Sequence, residues 1–584
     1  MRAKNIFFIL PKTITSLCLA SLISLTVNVP VSDAASIEPS LSPIGNYLAG
    51  RHAESERDLS VAADFLKAVL DQSPDTPDLL RRTFILLVMV GRIKEALPMA
   101  KQLQKTRPQD TITNLVLATN EFKNKNLNAV TKRLRSMSNT GLSGLSTPIL
   151  LGWALTAQKK VDEGLAALKA LEKEKASLAL HDLYKGLILD FAGRTLEAQK
   201  AYEDLIKRQG TISFRQTQII GNFYERSSNI KAATKLYDQY QEQNPDTNLL
   251  YVARDRLRLK ITPKPLIASA TDGVAEMLFW IANSLHRQRA QETKLLLAQL
   301  ALHIKPNYPI MRILTGEILE ADQRFEDANF QFKNIPESST FKPTAQMRIA
   351  ANYHDMGRTN EAIAIARGVA KSRPYDPKPH HAVGDYLRST EYYKEAIPEY
   401  DEAIRRAGTL KPTHWRLFYK RGIVLERVKA FKESEADFLK ALELQPDQPF
   451  VLNYLGYSWI EQGRNLSKAL NMIRKAVNLR PNDGYIIDSL GWVYYQIGNY
   501  DDAVAELERA VQYRPEDPVI NDHLGDAFWQ VGRKNEARFQ WLHSLSLKPD
   551  KEVEKRVRGK LKNGLKPIPN SVIKKELSTP KSKG

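Results

Sequence analysis

The sequence predicts an all-α fold, a solenoid of stacked helix-turn-helix hairpins, and two observations lead to this prediction. Near the end of the chain a Leu-Gly pair recurs three times, as Leu455-Gly456, Leu490-Gly491 and Leu524-Gly525. Each copy is followed by a proline, at 481, 515 and 549, so successive prolines lie 34 residues apart. A fixed period of this length indicates a repeat architecture in which each unit packs only on its neighbours.

Each repeated position has a packing reason. The glycine of each Leu-Gly pair lets the first helix of a hairpin approach the second without an intervening β-carbon, and alanines of the second helix act in the same way from the other side. These alanines are Ala469, Ala503 and Ala537. A second set of glycines, Gly463, Gly498 and Gly532, stands where the first helix ends and where a left-handed turn favours glycine. The prolines cannot continue a helix and therefore mark the end of each unit.

The same spacing of Gly, Ala and Pro continues upstream, where fewer positions match the pattern in each repeat. It predicts about fourteen hairpins between residues 43 and 551. One stretch, which contains Pro263 and Pro265, carries no repeat signature and is interpreted as a joint. The predicted segments are an N-terminal array at 43–247, the joint at 248–274, a C-terminal array at 275–551, a capping helix at 552–565 and a disordered basic tail at 566–584.

The first residues have the layout of a secretory signal peptide. Arg2, Lys4 and Lys12 give a positive start, an apolar run follows, and Ala34 is the small residue at which cleavage is expected. We therefore predict a signal peptide at 1–34, a linker at 35–42, and export to the periplasm, with membrane association left open. Retention of the segment as an anchor is the alternative, although the run is short for a membrane span.

Composition restricts the chemistry of the chain. The formal net charge is +19, and residues 551–584 alone carry eleven Lys or Arg against three Glu. The single cysteine, Cys18, lies in the apolar N-terminal run, so cleavage would leave no thiol for disulfides, catalysis or metal binding. Many Asp and Glu lie four residues from Lys or Arg on predicted helix faces, as expected for solvated ion pairs.

Three blocks of the chain carry a family resemblance. They are Asn453-Tyr-Leu-Gly-Tyr-Ser-Trp459, Asp488-Ser-Leu-Gly-Trp-Val-Tyr-Tyr495 and Asp522-His-Leu-Gly-Asp-Ala-Phe-Trp529. They resemble tetratricopeptide (TPR) repeats, and with residues 47–53 and 273–279 they are similar to secreted, many-repeat TPR proteins of proteobacterial envelopes. The resemblance implies an adaptor for a carboxy-terminal-processing protease or for cell-wall hydrolases. Because Leu17 precedes Cys18, the lipoprotein signal of some of those proteins is absent.

Motifs of catalysis are not found. The sequence holds no Gly-rich phosphate loop, no His-Glu-x-x-His and no Gly-x-Ser-x-Gly. The pair His380-His381 has no third ligand at a plausible spacing for a metal. We therefore expect no enzyme activity, no cofactor and no metal site.

Residues outside the repeat signature are the candidates for binding. Helical geometry places eight of them on the inner, first-helix side of the last three hairpins: Asn453, Tyr457, Asp488, Trp492, Tyr495, Asp522, Asp526 and Trp529. Aromatic and mixed polar side chains in a groove suit a protein or peptide ligand, and the acidic residues argue against nucleic acid. The competing interpretation is that the Trp and Tyr side chains thicken the core between repeats.

The predicted function is a non-catalytic protein-protein interaction scaffold or adaptor in the bacterial cell envelope. Its alternative is binding of an anionic membrane surface or nucleic acid through the basic C-terminal tail.

Overall fold

The computed structural model describes residues 38–74, 76–138, 140–244, 249–285 and 290–565. These residues form thirty α-helices and no β-strand, which confirms the predicted all-α class. No helix among them is long and apolar enough to cross a membrane. The predicted signal peptide at 1–34 and the basic tail at 566–584 lie outside the described residues.

The chain divides into two compact units between Gly357 and Arg358. The N-terminal unit contains α1 Pro43–Ser55, α2 Leu59–Gln72, α3 Pro77–Met89, α4 Ile93–Thr106, α5 Thr111–Lys123, α6 Leu127–Arg135, α7 Gly141–Ala157, α8 Val161–Leu168, α9 Leu178–Phe191, α10 Thr195–Gln209, α11 Phe214–Arg226, α12 Ile230–Gln243, α13 Tyr251–Leu259, α14 Ala270–Ser284, α15 Gln291–Ile304, α16 Pro309–Ala321, α17 Phe325–Lys333 and α18 Lys342–Asp355.

The C-terminal unit contains α19 Thr359–Ser372, α20 Lys378–Ser389, α21 Tyr393–Ala407, α22 Trp415–Arg427, α23 Phe431–Leu444, α24 Pro449–Glu461, α25 Leu466–Leu479, α26 Gly484–Gln496, α27 Tyr500–Tyr513, α28 Pro518–Gln530, α29 Lys534–Ser546 and α30 Lys551–Asn563. Within this unit the helices from α20 to α29 pair in chain order as five hairpins. In the other unit α1 to α12 form six hairpins, and α14 to α17 form two more.

The hairpins close where the sequence places small residues. A β-carbon on Gly491 would lie 2.6 Å from Cγ of Leu507, and one on Gly525 would lie 2.5 Å from Cδ1 of Trp541. Upstream the same approach brings a glycine against an aromatic ring, with Gly221, Gly316, Gly384 and Gly422 facing Tyr237, Phe332, Tyr400 and Phe438. The repeat signature therefore encodes the contact between the two helices of each hairpin.

The first helix of each regular hairpin ends at the predicted glycine. Gly498 and Gly532 have φ of +79° and +86°, a region in which a side chain is strained. The second helices α27 and α29 end at Tyr513 and Ser546, just before the prolines at 515 and 549.

Ion pairs also join neighbouring hairpins. Beside pairs within one helix, Lys67 Nζ lies 2.6 Å from Glu95, which is 28 residues away, and Arg464 lies 2.9 Å from Glu435, which is 29 residues away. These pairs are solvent-accessible, and each contributes about 1 kcal/mol or less.

The predicted joint differs in position from the boundary between the units. Residues 249–274 contain a helix, α13, and then an irregular segment with Pro263 and Pro265 before α14. However, α14 packs on α5 and α7, and α15 packs on α3 and α5. This packing makes α14 and α15 part of the N-terminal unit, and the boundary falls about eighty residues further along the chain, between 357 and 358.

Candidate functional site

The candidate site lies on the first helices of the C-terminal hairpins. Direct contacts join α20 to α22, α24 to α26, and α26 to α28. We call the surface formed by α22, α24, α26 and α28 the first-helix face. All eight residues predicted from the sequence lie on three of these helices. Five of them, Asn453, Tyr457, Asp488, Trp492 and Trp529, are partly exposed.

A stack of aromatic rings occupies the middle of this face. The rings of Trp492 and Tyr495 are parallel within 11°, with their centroids 4.8 Å apart. On its other side Trp492 stacks on His523, at a centroid distance of 4.0 Å. Tyr495 is only 5 % exposed and belongs to the core between repeats, as the competing interpretation expected, whereas Trp492 keeps part of its surface free.

His523 links the stack to the acidic residues. Its Nδ1 lies 2.9 Å from Oδ1 of Asp488. Burial acts to lower the pKa of His523, but the neighbouring carboxylates of Asp488, Asp522 and Asp526 raise it overall. A protonated His523 therefore neutralises part of the acidic charge on α26 and α28.

The other two aspartates are not open to a ligand. Asp522 is fully buried and Asp526 is 4 % exposed, because α30 covers both. Lys560 Nζ donates to Asp522 and Asp526 at 2.7 and 2.6 Å, and Arg556 donates to Asp522 at 2.9 Å. The sequence placed these aspartates in an open groove, and the capping helix that it also predicted occupies that place.

Further acidic side chains lie on the first-helix face towards α22, and sequence reasoning missed them. Burial raises the pKa of Glu426 to about 7, an effect that Arg427 reduces and Glu461 increases. Burial likewise raises the pKa of Glu461, which is hydrogen-bonded to Tyr457. Both glutamates stand in the last turn of a first helix, a position that the repeat signature leaves free.

The amide oxygen of Asn453 on α24 has no partner among the described residues. Oδ1 of Asn453 is buried and accepts no hydrogen bond. A buried amide oxygen without a donor costs free energy, and a donor on a ligand would satisfy it. Together, Asn453, Tyr457, Glu461 and Trp492 offer an acceptor, a carboxylate and two aromatic rings on neighbouring helices.

The corresponding surface of the N-terminal unit is filled by the chain itself. Helices α14 and α15 lie against the first helices α3, α5 and α7. A β-carbon on Gly273 of α14 would lie 2.1 Å from Cε2 of Trp153 on α7, so only glycine permits this approach. The face therefore holds a helix where the C-terminal unit has partly exposed rings.

A buried ion pair fixes that helix. Arg215 on α11 donates to both carboxylate oxygens of Glu276 on α14, at 2.9 and 2.6 Å, and the hydroxyl of Tyr308 donates to Glu276 at 2.6 Å. Glu276 is 1 % exposed, and burial alone would raise its pKa, but Arg215 lowers it overall, so the carboxylate stays ionised.

The described residues contain no group of three or more His, Cys, Asp or Glu arranged to hold a metal ion. His380, for example, faces Glu399, with 2.6 Å between Nδ1 and Oε2.

Comparison with known proteins identifies the repeats. A family profile described as TPR repeat matches residues 491–532, and one described as tetratricopeptide repeat matches residues 383–449. The chain carries tetratricopeptide repeats. Both TPR matches lie in the C-terminal unit, where the first-helix face is found.

Several curated proteins are similar over part of the chain. A TPR repeat-containing protein of Pseudomonas aeruginosa is 29% identical over 194 residues, which are 32% of this chain and 31% of that protein. The Hsp70-Hsp90 organizing protein of Triticum aestivum is 24% identical over 195 residues, 29% of this chain and 32% of that protein. The chain thus matches less than a third of the length of each of these relatives.

Two solved TPR structures cover most of the chain at low similarity. One is the APC/C hetero-tetramer Cut9-Hcn1, with TM-score 0.38, 14% identity, and coverage of 90% of this chain and 97% of that one. The other is yeast Tom70, with TM-score 0.35, 13% identity, and coverage of 89% and 95%. TM-scores this low support nothing about the path of the helices or about function. TPR proteins in general act as scaffolds that bind protein or peptide partners.

Proposed function

We propose that this chain is a non-catalytic interaction scaffold that binds a protein segment on the first-helix face of its C-terminal unit. The observation that carries the proposal is a set of aromatic rings and carboxylates on α22, α24 and α26. Glu426, Tyr457 and Trp492 are partly exposed there, and Glu461 is exposed. Aromatic anchors of this kind supply most of the binding energy at protein interfaces.

The charge of the face suggests what the bound segment looks like. Burial raises the pKa of both Glu426 and Glu461, and Glu461 raises that of Glu426 further, whereas one cation, Arg427, lowers both. A Lys or Arg side chain of a partner would supply the missing positive charge, while Tyr457 and Trp492 would flank its aliphatic stem. The proposed ligand is therefore a basic, extended or helical protein segment.

We further propose that the scaffold works in the bacterial cell envelope and brings a periplasmic protease or cell-wall enzymes to their targets. The support is the signal-peptide layout of residues 1–34 and the resemblance to envelope TPR proteins. N-terminal sequencing of the native protein tests the location. Ala35 or a near neighbour is the expected first residue, and an intact Met1 on a cytosolic protein would refute export.

Affinity capture of partners from cell envelopes tests the binding surface. The double variant Tyr457→Ala and Trp492→Ala should capture the partner at least tenfold less, since an aromatic anchor contributes about 2 kcal/mol. The matched control is Phe539→Ala with Leu542→Ala, which removes two apolar side chains that are 65% and 57% exposed on α29. The control should capture the partner at full strength, and both variants should keep the wild-type circular dichroism.

Two results would contradict the proposal. If the double variant folds and captures the partner normally, the site lies elsewhere. If it loses its helical signal, Tyr457 and Trp492 belong to the core between repeats and are not ligand contacts.

The basic tail supports a second candidate function. Residues 566–584 contain five Lys and one Glu, a composition that suits an anionic membrane surface or nucleic acid. Deletion of 566–584 separates the candidates, because loss of all partner capture would favour the tail over the first-helix face.

A further inference from the structure

Helix α30 lies on the last hairpin in an unusual way. Of its thirteen residues only Val553, Val557 and Lys560 are buried, whereas α28 buries eight. Among the described residues it packs against α29 and is followed by no second helix. The apolar contribution to its attachment is therefore smaller than for any complete hairpin.

Charge provides the rest of the attachment. Asp522 and Asp526 stand one turn apart on α28, and both carboxylates are buried. Lys560 bridges them, and Arg556, one turn earlier on α30, donates to Asp522. On the far side Asp526 accepts a hydrogen bond from Nε1 of Trp541 at 2.9 Å, which fixes its orientation.

This arrangement sets a requirement for whatever covers α28. Two buried carboxylates without cations destabilise the fold strongly, so an occupant must bring positive charge to both. On α30 the charges and the apolar contacts follow one helical face, with Val553 and Val557 at positions i and i+4 and Arg556 and Lys560 at i+3 and i+7. This is the spacing of a helix that binds in a groove.

Directly after α30 the backbone passes close to the ring of Trp529. Gly564 has φ of +67°, and a β-carbon built on it would lie 2.3 Å from Cζ2 of Trp529. Trp529 in turn packs on Trp541, with the ring centroids 5.3 Å apart. Release of α30 would expose Trp529 beside the two aspartates, which together form an aromatic and acidic surface.

We propose that this surface of α28 and α29 is an exchangeable helix-docking site, with α30 as its resident helix. The partner that replaces α30 is a helix of another protein with apolar residues at i and i+4 and basic residues at i+3 and i+7. The site is separate from the one at Tyr457 and Trp492, so either can fail without the other. It gives a role to Asp522 and Asp526, which no ligand can reach while α30 is docked, and to Trp529, which α30 leaves only partly exposed.

A labelled peptide of residues 551–565 tests the exchange in the full-length chain. In the wild type the tethered α30 competes at an effective concentration in the millimolar range, so peptide binding should be weak. The double variant Arg556→Gln and Lys560→Gln releases the tethered helix and leaves the aspartates intact. This variant should bind the peptide at least tenfold more tightly than the wild type does.

The matched control is a peptide that carries the same two substitutions, and it should bind neither protein. Equal binding of both peptides, or no binding to a folded double variant, would overturn the proposal.

Hydrogen exchange of the unmodified chain gives a second measurement that does not depend on the variant. The amides of α30 should exchange at least tenfold faster than those of α28, and their exchange should quicken further when salt is raised, since salt screens the ion pairs. Protection of α30 equal to that of α28 at all salt concentrations would show a permanently docked helix and would refute the exchange.

Discussion

The two units of the chain use the same surface of the same hairpin in opposite ways. In the N-terminal unit the first helices α3, α5 and α7 are covered by α14 and α15, and Glu276 pairs with Arg215 in the interior. In the C-terminal unit the first helices carry the partly exposed side chains of Tyr457 and Trp492. The repeat signature thus does not predict whether the first helices are exposed, because their exposure depends on whether a segment elsewhere in the chain covers them.

The surface of α3, α5 and α7, which α14 and α15 cover, also shows what kind of helix packs on such a surface. All seven residues from Gly273 to Phe279 on α14 are buried, and one of them is a glutamate matched by an arginine on the array. The occupant is an apolar helix with a single charge that the array neutralises. The open face of the C-terminal unit has the reverse charge, with carboxylates on the array, and therefore calls for a basic occupant.

The largest expected change in the free energy of unfolding comes from breaking the buried ion pair between Arg215 and Glu276. Arg215→Met leaves Glu276 buried without its hydrogen-bonded cation, which should lower the free energy of unfolding by about 3–5 kcal/mol. Arg194→Met is the control, because Arg194 pairs with exposed Asp162 and Glu197 and should cost about 1 kcal/mol or less. Chemical denaturation measures both, and equal effects would show that α14 is not held by this pair.

A somewhat smaller effect is expected where α14 meets α7. Gly273→Ala puts a β-carbon inside the contact distance of Trp153 and should cost about 1–3 kcal/mol. Gly368→Ala is the matched control in a helix of the C-terminal unit, since a β-carbon there meets nothing within 4 Å. Thermal unfolding should separate the two variants, and an unchanged midpoint for Gly273→Ala would mean that α14 does not approach α7 closely.

The free energy of unfolding should depend on pH through Glu426 on the first-helix face. Because the pKa of Glu426 is raised to about 7 in the folded chain, its stabilising contribution is complete below its ordinary pKa near 4.5 and is lost as the pH rises through 7. Between pH 5 and pH 8 the loss should be about 2 kcal/mol. Denaturation of Glu426→Gln should lack this part of the pH dependence, and identical pH profiles would rule out the raised pKa.

The smallest effect belongs to the ion pairs between hairpins. Arg464→Gln removes an exposed partner of Glu435 and should change the free energy of unfolding by about 0.2–1 kcal/mol, less in high salt. A loss comparable to that of Arg215→Met would mean that such pairs, and not the helix contacts, hold the array together.

Most of the fold could be predicted from local patterns in the sequence. The glycines at 491 and 498 and the proline at 515 each act within one hairpin, so a single sequence shows where helices meet, turn and end. A helix after the last repeat was predicted as well, and α30 lies there. The position of the boundary between the units was not, because it depends on where α14 packs.

The candidate site was predictable to a smaller extent. Helical geometry correctly put all eight residues on first helices, but the burial of Asp522 and Asp526 follows from Arg556 and Lys560, about 34 residues later. Likewise the pairing of Arg215 with Glu276 spans 61 residues, and nothing in the sequence around Arg215 indicates a buried partner. Contacts between residues so far apart in the sequence produce no repeating pattern from which they could be predicted.

That separation of 61 residues also has a consequence for the time at which each unit can finish folding. A hairpin array closes contacts between near neighbours and can grow as the chain emerges, whereas contacts distant in sequence slow folding. The first helices α3, α5 and α7 must wait for α14 and α15 before their inner surface is covered. Until then an apolar surface stays exposed in the nascent chain, and a chaperone that shields such surfaces would act on this unit first.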